Sequence, residues 1–119
     1  MTVLRIDHVQ VAAPPGCEAA ARAFYGGLLG LEEIPKPGLL ASLGGCWFRA
    51  GGQELHVGVE ERFVPAQKAH SGFVVDDLDA LVERLAGAGY HALPDERIPG
   101  VRRVYVDDPF GNRFELRQG

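Results

Sequence analysis

The chain has 119 residues, a formal net charge of −4, 46% hydrophobic residues and 24% charged residues. This length suits one domain with its own core, and the balance excludes a disordered or collagen-like chain. The 16 glycines and 8 prolines predict short elements separated by many turns, rather than a bundle of long helices.

Several partner classes are also excluded. No basic stripe is present, so we expect no nucleic-acid partner. Apolar runs such as 38–48 are too short to span a bilayer, and Arg5, Asp7 and His8 interrupt any secretory signal. We therefore expect no membrane partner and a cytoplasmic location. There Cys17 and Cys46 are expected to be free thiols.

The first half of the chain predicts a strand, a helix and several further strands. The strand covers 9–13 and the helix 18–29, where Ala20, Phe24 and Leu28 recur at helical spacing. Strand-like runs follow at 31–34, 39–43, 46–49 and 54–59, divided by proline and glycine.

The second half repeats this order. It predicts a strand over 71–75 and a helix that Asp76 or Asp77 caps, with Leu78, Leu81 and Leu85 on its apolar face. Strand-like runs follow at 90–93, 101–106 and 112–117, with a hairpin turn at 107–112. The sequence thus predicts one domain, 1–119, built from two strand–helix–strand–strand–strand modules. They cover about 1–62 and 69–119.

Four polar residues share one feature in these predicted strands. Side chains alternate between the two faces of a strand, and the apolar residues of each run mark the face that meets the helices. By this parity the opposite face carries His8, His56, His70 and Glu115. That face is either ordinary solvent surface or the wall of a polar cavity.

The whole chain resembles the vicinal oxygen chelate superfamily, also called the glyoxalase/bleomycin resistance protein/extradiol dioxygenase group. The resemblance rests on short motifs that occur in order and at module spacing. They are DHV at 7–9, AFY at 23–25, LLGL at 28–31, ELHVG at 54–58, AHSGFVVD at 69–76 and DPFGNRFEL at 108–116.

The resemblance implies an α+β fold in which two βαβββ modules form an open half-barrel mixed sheet around a divalent metal. The positions that match the family's metal ligands are His8, His56, His70 and Glu115. Glu115 is also the predicted catalytic residue, and either it or a metal-bound water would move the proton. Three imidazoles and a carboxylate suit zinc, iron, manganese, nickel or cobalt. At the position of His56, glyoxalase I has a carboxylate.

The function implied is that of a metal-dependent lyase, isomerase or dioxygenase. It would act on a small oxygen-bearing metabolite or xenobiotic by chelating two neighbouring substrate oxygens to the metal. The alternative is a non-catalytic small-molecule binding protein like the bleomycin resistance proteins. In either case the resemblance implies a homodimer.

Further polar and aromatic residues share the parity of the candidate ligands. An arginine there could receive a carboxylate or phosphate, and an aromatic ring could form an apolar wall. The predicted substrate contacts are Gln10, Trp47, Arg49, Arg103 and Tyr105.

Overall fold

The computed structural model describes residues 1–119, which form two compact units, Met1–Phe63 and Val64–Gly119. Each unit is described by itself below. None of its helices has the length and apolar character needed to cross a membrane.

The first unit is a four-stranded mixed sheet with one longer helix and a short 3-10 helix. In spatial order its strands are β1, β4, β3 and β2, with β1 parallel to β4 and the other neighbours antiparallel. The strands are β1 His8–Ala13, β2 Glu32–Ile34, β3 Cys46–Ala50 and β4 Gln53–Val59. Helix α1 is α-helical over Glu18–Ala21 and continues as a π-helix over Arg22–Leu28.

The second unit repeats the same topology. Its strands lie in the order β5, β8, β7 and β6, with β5 parallel to β8. The elements are β5 Ser71–Val75, α2 Leu78–Gly87, β6 Leu93–Pro94, β7 Arg103–Asp107 and β8 Arg113–Gln118. The predicted α+β fold of two βαβββ modules with open sheets is therefore confirmed.

Apolar residues of the strands and of α1 make the core of the first unit. Phe24 and Tyr25 of α1 pack edge to face with ring centroids 5.1 Å apart, and Phe48 of β3 lies 6.0 Å from Tyr25. All three are at most 2% exposed, as are Leu55 and Val57 of β4. Burial of this face leaves the alternate β4 residues on the other face.

Two local predictions for the first unit are wrong. The run 39–43 is not a strand but part of a 3-10 helix, Gly38–Leu43. Its apolar residues are exposed, so no burial favours an extended conformation there. Ala20 is exposed, because α1 buries Ala21, Phe24 and Tyr25 instead.

The caps and turns of the second unit follow the sequence more closely. The side chain of Asp77 accepts a hydrogen bond from the Ala80 backbone N–H at 3.1 Å and so caps α2. In the β7–β8 hairpin, Asp108 accepts hydrogen bonds from the backbone N–H groups of Phe110 and Asn112, each at 2.8 Å. This turn fixes the register that pairs Tyr105 with Glu115.

Candidate functional site

The first unit carries two of the candidate ligands on adjacent parallel strands. In the β1–β4 register His8 pairs with Glu54, and Gln10 pairs with His56. Since strand side chains alternate, all four lie on the face opposite the buried Leu55 and Val57. The parity argument from the sequence therefore describes this sheet correctly.

Three rings stack on that face. The His56 ring lies between Trp47, at 3.8 Å between centroids with the planes 1° apart, and His8, at 4.3 Å with the planes 15° apart. His56 is 4% exposed and its Nε2–H donates to Glu54 Oε1 at 2.9 Å. The stack and this hydrogen bond fix the orientation of the His56 ring, and a metal at Nε2 would replace the Glu54 contact.

His8 is more accessible, with 47% of its side chain exposed. Its Nδ1–H donates to Asp7 Oδ2 at 3.0 Å. This hydrogen bond, against the opposing effect of desolvation, holds the pKa of Asp7 below its usual value. A carboxylate that accepts a hydrogen bond from Nδ1 is a common way to orient a metal-binding imidazole, and it leaves the Nε2 lone pair to bind the metal.

The second unit brings His70 and Glu115 together. His70 Nε2 lies 3.9 Å from Glu115 Oε1, while His70 Nδ1–H donates to the Lys68 backbone carbonyl at 3.1 Å. The carbonyl fixes the tautomer in which Nε2 carries the free lone pair. His70 Nε2 and the Glu115 carboxylate are therefore neighbouring groups that could each bind a metal ion.

Two arginines also hold the Glu115 carboxylate, which is 5% exposed. Arg103 Nη1 donates to Oε1 at 2.8 Å, and Arg117 Nε donates to Oε2. Burial by itself would raise the pKa of Glu115, but the hydrogen bonds from Arg117 and Arg103 outweigh it and lower the pKa. Glu115 is therefore a carboxylate at neutral pH.

Arg103, a predicted substrate contact, is already satisfied by protein carboxylates. It is 8% exposed, and besides Glu115 it contacts Asp95 Oδ1 through Nη2 at 3.0 Å and Tyr105 Oη through Nη1 at 3.0 Å. Its Nε has no hydrogen-bond partner. That Nε is also buried, so the structure makes Arg103 a brace that holds Glu115.

The other predicted substrate contacts lie on the expected faces. The side chain of Gln10 lies across Gly58, where an added Cβ would come within 2.8 Å of the Gln10 amide carbon. Trp47 covers His56, and Arg49 is exposed with its Nε 3.7 Å from Glu32 Oε2. Tyr105 touches the His70 ring edge to face at 5.4 Å.

Within each unit the candidate ligands form a pair, not a larger cluster. No group of three or more histidine, cysteine, aspartate or glutamate side chains is arranged to hold a metal ion. Sequence reasoning missed Glu54, Asp95 and Arg117 as partners of the site. Glu54 and Arg117 share the parity of His56 and Glu115, so alternation could have indicated both. Asp95 lies outside any strand and gave no such signal.

Comparison with known proteins identifies the family. The family model of the Glyoxalase/Bleomycin resistance protein/Dioxygenase superfamily matches residues 5–116. The chain belongs to this superfamily. A comparison with curated proteins found no match.

Solved structures of the glyoxalase superfamily share the fold. A glyoxalase family protein from Bacillus anthracis is 51% identical, with a TM-score of 0.95 over 100% of this chain and 98% of that one. Lactoylglutathione lyase from Agrobacterium tumefaciens is 24% identical, with a TM-score of 0.73 over 97% and 93% of the two chains. The fosfomycin resistance protein FosX from Listeria monocytogenes is 20% identical, with a TM-score of 0.72 over 100% and 94%.

Proposed function

We propose that this superfamily member is a metal-dependent enzyme that acts on a small oxygen-bearing metabolite or xenobiotic. The observation that carries the proposal is the repetition of one arrangement in both modules. In each, a histidine at or just before the start of the first strand lies beside a residue with a metal-binding side chain on the parallel last strand; the contact is a ring stack in the first module and a nitrogen–oxygen distance of 3.9 Å in the second. The pairs are His8 with His56 and His70 with Glu115.

The donor chemistry fits a divalent cation. His8 and His70 each have a hydrogen-bond acceptor on Nδ1, which leaves Nε2 free to bind a metal. Three imidazoles with one carboxylate suit zinc, iron, manganese, nickel or cobalt. When bound, such an ion would supply Lewis-acid polarisation of two adjacent substrate oxygens.

The protein side chains would orient the substrate and move its proton. Arg103 and Arg117 hold Glu115 ionised, which is the form that binds a cation or accepts a proton. The same two hydrogen bonds weaken Glu115 as a base, so proton transfer to it requires an acidic substrate proton. Trp47 and Gln10 would form the wall beside His56.

One observation supports the alternative, a non-catalytic small-molecule binding protein. Glu115 is fully engaged by two arginines, and no ready group of three ligands exists. A protein of this second type would bind its ligand equally well with and without metal. Measurement of metal content therefore separates the two functions.

The experiment measures bound metal in the full chain after purification without chelator. We expect about one divalent ion per chain, and a loss of at least about tenfold in metal affinity in His8→Ala and Glu115→Gln. His91→Ala is the matched control, because this exposed histidine belongs to neither pair. If His8→Ala and Glu115→Gln bind metal as well as His91→Ala does, the proposed centre is wrong.

We also propose a cytoplasmic homodimer. Within each unit the sheet is open, with β1 and β2 or β5 and β6 at its edges, and open edges favour association with a second chain. Sedimentation equilibrium should give about twice the chain mass of 12.8 kDa. A mass of one chain with metal still bound would show that the dimer is not needed for the centre.

A further inference from the structure

A hollow of about 640 Å³ opens in the second unit beside the strands that carry Tyr105 and Glu115. Its wall combines aromatic and apolar side chains with one guanidinium and with three carboxylates, those of Asp95, Asp107 and Asp108. The aromatic and apolar side chains include those of Tyr90, Leu93, Pro94 and Tyr105, and the guanidinium is that of Arg113.

Arg113 differs from the other arginines around this sheet. Arg103 and Arg117 are bonded to Glu115, and Arg97 is bonded to Asp95. The Arg113 guanidinium carbon instead lies 3.7 Å from the centroid of the Tyr105 ring. Stacking of this kind holds a guanidinium in place while its N–H groups stay free at the edge of the plane.

The acidic residues nearby do not neutralise Arg113. Asp107 is its register partner on β7 and is exposed, but the guanidinium lies over Tyr105, two residues along, and makes no ion pair. Asp95 is paired with Arg97 and Arg103. Asp108 accepts the hydrogen bonds of the β7–β8 turn.

We propose that this hollow is a binding site for a small molecule with an anionic oxygen group on an apolar or aromatic body. The carboxylate or phosphate would receive two N–H groups of Arg113, and the body would lie against Tyr90, Leu93 and Tyr105. Tyr105 also contacts Arg103, which braces Glu115, so the hollow adjoins the candidate centre. This proposal rests on the proposed function and makes it more specific, because it identifies the substrate as an organic anion.

The test uses benzoate and its uncharged analogue benzamide as probes. Their binding to the full chain is monitored by amide NMR, first with chelator and then with added metal. We expect benzoate to shift the Tyr90, Leu93 and Tyr105 signals in both conditions and to bind at least about tenfold more tightly than benzamide. Arg113→Met should remove that preference. Arg102→Met is the matched control, since this exposed arginine pairs with Asp79 outside the hollow.

Three results would overturn the proposal: no benzoate preference in the unmodified chain, shifts away from the hollow, or equal losses in Arg113→Met and Arg102→Met. Arg113→Lys is the second variant if Arg113→Met does not fold. It keeps the charge but not the planar fork, and should show an intermediate preference. Benzoate binding without metal binding would refute the proposed function alone, whereas metal binding without benzoate binding would refute the anion site alone.

Discussion

Gly45 is the position where one added methyl group should damage the first unit most. Its φ is +84°, and a Cβ there would lie 2.0 Å from the Val57 backbone oxygen. An ordinary contact needs roughly 3.5 Å, so Gly45→Ala must move β3 from β4 by more than about 1 Å. The movement would also break the 2.7 Å hydrogen bond from the Gly45 N–H to Glu18.

The cost of Gly45→Ala can be assembled from these parts. The left-handed backbone costs an alanine about 1–2 kcal/mol, and the hydrogen bond to a charged group contributes about 1.5–3 kcal/mol. We expect a loss of about 4 kcal/mol in the free energy of unfolding, which lowers the Tm by about 15 °C. Urea and thermal unfolding, followed by fluorescence of the single tryptophan, Trp47, would measure it.

Gly51→Ala is the matched control for this prediction. Gly51 also has a positive φ, +61°, but nothing lies within 4 Å of an added Cβ. We expect it to cost about 1 kcal/mol from backbone strain alone. If the two variants unfold at the same urea concentration, the close approach of β3 and β4 at Gly45 is not what limits this position.

Three further outcomes follow from the electrostatics. The hydrogen bond from Gly45 lowers the pKa of Glu18, and the Arg97 contact lowers that of Asp95. Their stabilisation is complete above the unfolded-state pKa values of about 4, so the free energy of unfolding should fall as the pH drops below about 4; a flat acid titration would contradict this. Glu18→Gln should cost about 1–2 kcal/mol in urea unfolding at pH 7 and flatten that acid dependence, unlike an exposed control such as Glu61→Gln. Burial raises the pKa of the Cys17 thiol to about 11 and also raises that of Cys46, so both should resist a thiol reagent at pH 8 until urea unfolds the chain.

Most strands and the faces of the sheets were predictable because alternation is a local property, but the strand predicted at 90–93 is wrong for 90–92, since β6 covers only Leu93–Pro94. In β4 the buried Leu55 and Val57 specify where His56 points, whatever the rest of the chain does. The 3-10 helix was not predictable in this way. The run 39–43 is apolar like a strand, but its residues find no partner to bury against, and local turn geometry prevails.

Two partners of the site, Arg103 and Asp95, depended on contacts distant in the sequence, whereas Glu54 and Arg117 are close in sequence to the residues that they contact. Arg117 lies two residues after Glu115 and Arg103 lies twelve residues before it. Both bind the Glu115 carboxylate, because the β7–β8 register brings Arg103 alongside β8. Sequence parity placed Arg103 on the correct face but could not show that Asp95 would occupy it. Side-chain pairing across strands is decided by packing, which alternation does not describe.

The parallel pairing of first and last strands has a consequence for synthesis of the chain. The β3–β4 hairpin closes through the short Gly51–Gly52 turn, whereas β1 must wait for β4 across the whole module. Closing that long loop is the slower step. While a ribosome is still making β4, β1 has no partner strand, and its apolar residues are open to misassociation. We therefore expect the strand that begins with His8 to join the sheet last, so that His8 reaches His56 only once the module is complete.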